Sequence, residues 1–307
     1  MKKLRKSFFI VLIIIAVLIT GCKNNRNIDV NAQGSKETYS VGVGLDIMVT
    51  NKYLYTMVKD IAGSNNNVDF MFKDESEEKD FKFTNDSIAN IGKQDLFIYA
   101  GAGFEDWSDA FLNAVDKSKV GITNVSRGVK TTNYENKIDK DYGKKNPYYW
   151  MDADNYGIML LNIKNAIEEK DPKNNVTYEN NFKNSIKEVD DYITKLNNLS
   201  SKMKQYTLVT DVDKFNYMTS SVSIKSIKFY RNDQAAISSD DEQEIRSEQD
   251  DNKKLCFIYD DDNDLNQNRD IIDKYNMKTV KLVVYDGNIS YINMLKQNIA
   301  SLTAATK

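Results

Sequence analysis

The sequence predicts an α/β protein of two lobes, each built on a parallel-type sheet, joined by one long rigid helix. Three observations carry that expectation. Short apolar, strand-like runs alternate with amphipathic helical stretches along the chain, the pattern that layers helices on parallel strands. The chain has 307 residues, 41% hydrophobic and 28% charged, enough for two cores. An apolar stripe at spacings of three, four and seven then runs through Phe182, Ile186, Val189, Ile193, Leu196 and Met203 without a break.

Residues 1–21 read as an export signal. Lys2, Lys3, Arg5 and Lys6 precede an apolar run from Phe8 to Ile19, too short for a comfortable bilayer span of roughly 20 residues. The run ends in "ITGC", and Cys22 is expected to be the acylated first residue of the mature chain, holding it to the outer face of a membrane. Residues 22–38 are almost free of apolar side chains and form a flexible tether. The amino-terminal lobe spans 39–171. In it Ser40 to Val49 is strand-like, Asn51 to Ala62 is a helix stopped by Gly63, and "QDLFIYA" (Gln94 to Ala100) is a short strand. Lys130 to Lys145 is a polar loop. Tyr156, Leu160, Ile163 and Ile167 share one helical face.

The linking helix takes 172–205. Asp171 is placed to cap it, with Pro172 at the first position where a missing N–H costs nothing. At 1.5 Å per residue it would be roughly 50 Å long, so it must run along both lobes. The carboxy-terminal lobe spans 206–307, with strands at "YTLVTD", "SIKSIKFY", "KLCFIYD" and "TVKLVVYD". Cys256, in the third of these, is a core residue rather than half of a disulfide.

Composition excludes several functions. Removing the signal leaves 38 basic against 45 acidic residues, a net charge of about −7, so nucleic acid is not an expected partner. The chain has no histidine, which rules out a Ser-His-Asp triad and any His-ligated metal site. No catalytic constellation replaces it, and an enzyme is not expected. The acidic run Asp260-Asp261-Asp262-Asn263-Asp264 starts like a calcium loop. It fails at Leu265, where a turn glycine is needed, and at Ile271, where a bidentate glutamate belongs. It reads as a solvated loop after a strand.

Five segments in order resemble one family, the zinc- and manganese-binding solute-binding lipoproteins of ABC importers. They are "TNKYLYTMVKDIAG", "KDFKFTNDSIANIGKQDLFIYAGAGFEDW", "NPYYWMDADN", "LVTDVDKFNYM" and "VVYDGNISYINMLKQNIASL", with the long helix between the third and fourth. The resemblance implies two α/β lobes, a solute held in the cleft between them, an ABC permease as partner and Zn²⁺ or Mn²⁺ as the solute.

The ligand positions depart from that pattern. Lys79, Tyr148 and Val212 stand where the family places metal-binding side chains, and only Asp286 is of ligand type. Lysine and valine offer no lone pair, and a phenol ionises near pH 10, so these four make a poor site for either metal. Tyr149, Asp211 and Asp213 are neighbouring substitutes. No resident cofactor is expected. Two roles follow: a receptor with an atypical, histidine-free site that binds Zn or Mn weakly or not at all, or a surface lipoprotein on the same fold that acts by contact with another protein. Lys79 and Asp286 are further expected to pair directly in the volume a metal would fill.

Overall fold

In helix α1 (Lys52–Ala62) the fully buried Leu54, Met57, Val58 and Ile61 repeat at three and four residues, which turns one stripe inward. Asn51 caps it by accepting from the Leu54 amide, and Gly63, at φ +68°, ends it. The computed structural model describes residues 44–136, 141–221, 224–231 and 236–307. The signal segment, Cys22, the tether and the start of the first expected strand lie outside the described residues.

The first half of the chain runs β1 (Asp46–Asn51), α1, β2 (Asn67–Phe72), α2 (Glu75–Lys79), α3 (Asn85–Ile91), β3 (Leu96–Tyr99), α4 (Ser108–Ala114), β4 (Gly121–Asn124) and α5 (Ala153–Lys170). After α6 (Asn175–Lys202) come β5 (Tyr206–Thr210), α7 (Asn216–Ser221), β6 (Lys225–Lys228), α8 (Ser239–Asp250), β7 (Lys254–Tyr259), α9 (Asp262–Gln267), α10 (Arg269–Lys274), β8 (Lys278–Lys281) and α11 (Tyr291–Ala305). The strands form two parallel four-stranded sheets, in the orders β2-β1-β3-β4 and β6-β5-β7-β8. The two sheets have the same winding. In each, the order reverses beside the first strand, and in such sheets ligands gather outside the carboxyl ends of the strands at that switch.

The linking helix is present with an altered start. Pro172–Asn174 form a 3₁₀ turn, and Asp171 makes no capping bond to the backbone. Its carboxylate instead accepts from the Asn174 side chain and the Tyr178 hydroxyl, each at 2.6 Å. The α-helix proper is 28 residues, about 42 Å at 1.5 Å per residue. Tyr178 and Val189 lie in the core of the first lobe, whereas Leu199 lies in that of the second, so the helix spans both.

Two further expectations are corrected. The acidic run is not a loop: Asp261 caps α9, accepting from the Asn263 amide at 2.8 Å. Strand β8 also stops at Lys281, well short of Asp286. Leu282 still donates to the Tyr259 carbonyl of β7 at 2.8 Å; beyond it the chain leaves the sheet, and Tyr285, Tyr291, Met294 and Leu295 fill the core of the first lobe. The Asp286–Gly287 turn packs so tightly on the start of α1 that a Cβ at Gly287 would stand 2.5 Å from the Lys52 carbonyl oxygen, at a φ of +81°. Only glycine fits there.

Candidate functional site

A cavity of about 750 Å³ is lined by Lys79 and Tyr148, two of the four ligand-equivalent positions expected from the sequence. One wall is α2, a short helix capped by Asp74, whose side chain accepts from the amides of Ser76 and Glu77. The three-residue spacing of Glu75 and Glu78 puts both on one side of that helix, and both line the cavity with Lys79. A second wall is the turn after β3. Glu105 ties this turn down by accepting from Thr50 Oγ1 at 2.8 Å and from the amides of Ala100 and Gly101 at 2.7 Å. The turn presents Phe104 and Trp107 to the cavity, and Phe81 lines it beside them. The Phe81 and Trp107 rings meet edge to face at 4.9 Å. The third wall is the stretch ending in Pro147 and Tyr148.

Thr132 and Asn146 are tied to the second lobe. Tyr217 Oη donates to the Asn146 carbonyl at 2.7 Å and accepts from the Thr132 amide at 2.9 Å. Asn146 Nδ2 donates to the Asp213 carbonyl at 2.8 Å.

Acidic and basic side chains both line the cavity, but Glu78 is buried without a partner. Glu78 is 5% exposed, and neither of its carboxylate oxygens has a hydrogen-bond partner. Desolvation, reinforced by the charge of Glu105, pushes it up to about 9; the indole N–H of Trp107 lies near enough to restrain the rise without completing a bond. Burial lifts Glu105 to about 7 against the pull of its three donors. Desolvation first, and then Glu75, raise the Tyr148 phenol far above its ordinary value. Its hydroxyl donates to Glu75 Oε2 at 3.4 Å. The phenol at this position is therefore neutral, not a phenolate.

Residues 47–305 match the family model described as ZnuA, zinc-uptake complex component A, periplasmic. The chain belongs to this family, the substrate-binding components of metal ABC importers. It is 26% identical over 235 residues to the metal ABC transporter substrate-binding lipoprotein ScbA of Streptococcus cristatus, covering 74% of this chain and 71% of that one. To the manganese ABC transporter substrate-binding lipoprotein scaA of Streptococcus gordonii it is 28% identical over 210 residues, covering 67% and 61%. The Zn(II)-bound ZnuA-like domain of Streptococcus pneumoniae AdcA shares the fold, with a TM-score of 0.66 at 19% identity over 86% of this chain and 99% of that one.

Of the four ligand-equivalent positions expected from the sequence resemblance, Lys79 and Tyr148 line the cavity, whereas Val212 and Asp286 do not. Val212 packs on the core of the second lobe. Asp286 is exposed; its carboxylate accepts from the Asn288 amide at 2.8 Å and from the Asn288 side chain, whose oxygen in turn takes the Lys52 ammonium. The expected Lys79–Asp286 ion pair is not formed among the described residues. The reason is the early end of β8, which carries Asp286 to the start of α1.

The neighbouring substitutes have other work. Tyr149 is fully buried and donates to the Ala100 carbonyl at 2.7 Å. Asp213 accepts from Tyr230 Oη at 2.7 Å, from Asn216 Nδ2 at 3.0 Å and from the Glu135 amide at 3.1 Å. Asp211 accepts from Asn268 Nδ2 at 2.5 Å, and its other oxygen is buried without a partner. Among the described residues no group of three or more Cys, Asp or Glu side chains is placed to hold a metal ion.

Glu75, Glu78, Phe81, Phe104 and Trp107 went unseen in the sequence as site residues. "DESEEKD" has the composition of a solvated helix face, and nothing local tells that Glu78 is covered.

Proposed function

We propose that this protein is the lipid-anchored, extracytoplasmic substrate-binding receptor of an ABC importer, held to the membrane through Cys22 and delivering its solute to a permease, with a histidine-free cleft that binds Zn²⁺ or Mn²⁺ weakly or not at all. Family membership supports the receptor role. The metal-poor site rests on one observation: of the four ligand-equivalent positions, Lys79 and Val212 carry no available lone pair, Tyr148 is a neutral phenol, and Asp286 sits apart with its carboxylate engaged by Asn288. A closed tetrahedral site needs four donors at one point.

Metal analysis of protein purified without chelator, followed by titration with ZnCl₂ and MnCl₂, tests this. The expected result is well below one equivalent of either metal and no rise in melting temperature on adding them. A stoichiometric metal, or a stabilisation that saturates at one equivalent, overturns the reading.

A further inference from the structure

We propose that the cavity walled by α2, the turn after β3 and Tyr148 binds a small organic solute through a primary ammonium group, seated between the carboxylates of Glu75 and Glu78 and the rings of Phe81, Phe104, Trp107 and Tyr148. The inference rests on the reading that this cleft no longer coordinates metal.

Size is the first argument. At about 750 Å³ the cavity has the scale of small-molecule sites, roughly 300–1,000 Å³, far beyond what one ion fills. Glu78 is the second. A carboxyl group 95% covered would ordinarily be paired, because leaving its oxygens without donors costs what water would have supplied. Both oxygens are without a partner, and the residue lines the cavity.

The protein's own cations do not serve it. Lys144 pairs with Asp141 at 2.8 Å, and the side chains of Lys79 and Lys145 are exposed. The unmet demand is for N–H donors at the Glu78 oxygens, and a donor that carries positive charge would offset the desolvation that holds this carboxyl neutral.

The chemistry of those walls narrows the class. Aromatic rings attract cations through their quadrupoles, the more so when water is excluded. An ammonium supplies three N–H donors, enough to satisfy both Glu78 oxygens and reach Glu75. A quaternary ammonium gains from the rings but donates nothing, so Glu78 would stay unpaired. An anion would meet Glu75, Glu78 and Asp106, all of which line the cavity. The exposed Lys79 and Lys145, also on its lining, leave a carboxylate at the far end of the solute acceptable, so basic amino acids fall within the class alongside diamines.

The chain has two tryptophans. Trp107 lines the cavity, and the Trp150 ring lies 5.5 Å from that of Tyr148, so intrinsic fluorescence reports on the site. Detergent-solubilised mature protein is titrated with putrescine, lysine and choline, and separately with MnCl₂ and ZnCl₂. We expect a saturable one-to-one change with putrescine or lysine and none with choline at equal concentration. Glu78→Gln, which keeps the shape but cannot ionise to meet an ammonium, should weaken the amine at least about 30-fold without lowering the melting temperature. Trp107→Leu should weaken it as well, read by calorimetry because the reporter is lost.

Absence of saturable binding by both amines at millimolar concentration, equal binding of choline, or an unchanged affinity in Glu78→Gln would each overturn the proposal. If the amines fail and the metals fail too, the ammonium site is refuted and the metal-poor cleft stands. Stoichiometric binding of Mn²⁺ or Zn²⁺ refutes the metal-poor cleft itself.

Discussion

Glu78 puts a sign on the pH dependence of this fold. Its carboxyl moves from 4.5 to about 9, chiefly through desolvation. The folded state therefore favours the neutral acid, while the unfolded chain ionises near its ordinary value. The stability this group contributes is fully present below about pH 4.5 and is lost progressively as pH rises toward 9. Glu78→Gln removes the titration. In urea unfolding, the variant should match the wild type at pH 4 and exceed it at pH 8 by roughly 2–4 kcal/mol. Parallel stability curves at the two pH values would show that Glu78 is solvated in the free protein.

The sequence offers Lys79, Tyr148 and Val212 at ligand-equivalent positions only through the resemblance; what it does fix is that lysine and valine bring no lone pair. The burial of Glu78 was not readable. Trp107, which lies beside the Glu78 carboxyl, comes from a distant segment of the chain, as does Phe104 on the same cavity wall.

At the scale of elements, α6 depends on position more than on its own burial. Few of its side chains are fully covered, but Ile193 packs on the edge of the first core and Leu196 on that of the second. Proline at Ile193 removes one helical hydrogen bond and clashes with the carbonyl of Val189, at a cost of about 3 kcal/mol or more. Ile193→Ala, which keeps the backbone, should cost clearly less in the same urea melts. A proline variant no worse than the alanine one would mean that the two lobes do not rely on a continuous helix there.

The helix was legible because an apolar stripe sustained over six turns has no other reading. Its start was less so: Pro172 signals a first turn but does not distinguish 3₁₀ from α. "TVKLVVYD" misled for a similar reason. Its β-branched residues suit a strand throughout, yet only Lys278–Lys281 pair with β7; Val283 packs against the first core and Val284 against both. Local propensity cannot choose between a sheet and an extended crossing.

For the molecule as a whole, the proposed anchor has a simple test. Cys22→Ser should move signal-processed protein from the membrane fraction to the medium or periplasm, since none of the described helices is long and apolar enough to cross a membrane. Processed protein that stays with the membrane would remove Cys22 as the anchor.

The two-lobe plan followed from the alternation of elements, and the identical winding of the two sheets bears it out. What one-dimensional reading missed is that the lobes share a core. Tyr285, Tyr291, Met294 and Leu295 arrive from beyond the last strand of the second sheet to complete the first. Trp150 Nε1 donates to the Tyr285 carbonyl at 3.1 Å across this seam, and Tyr156 stacks on Tyr291 with ring centroids 3.6 Å apart.

That crossing sets an order of events during biosynthesis. A nascent chain that has emerged only as far as β8 holds every strand of the amino-terminal sheet, yet lacks the aromatic side chains that seal its interior. Half of the protein must wait, unsealed, for the last segment to leave the ribosome. The first lobe is therefore finished last, although its own strands are made first.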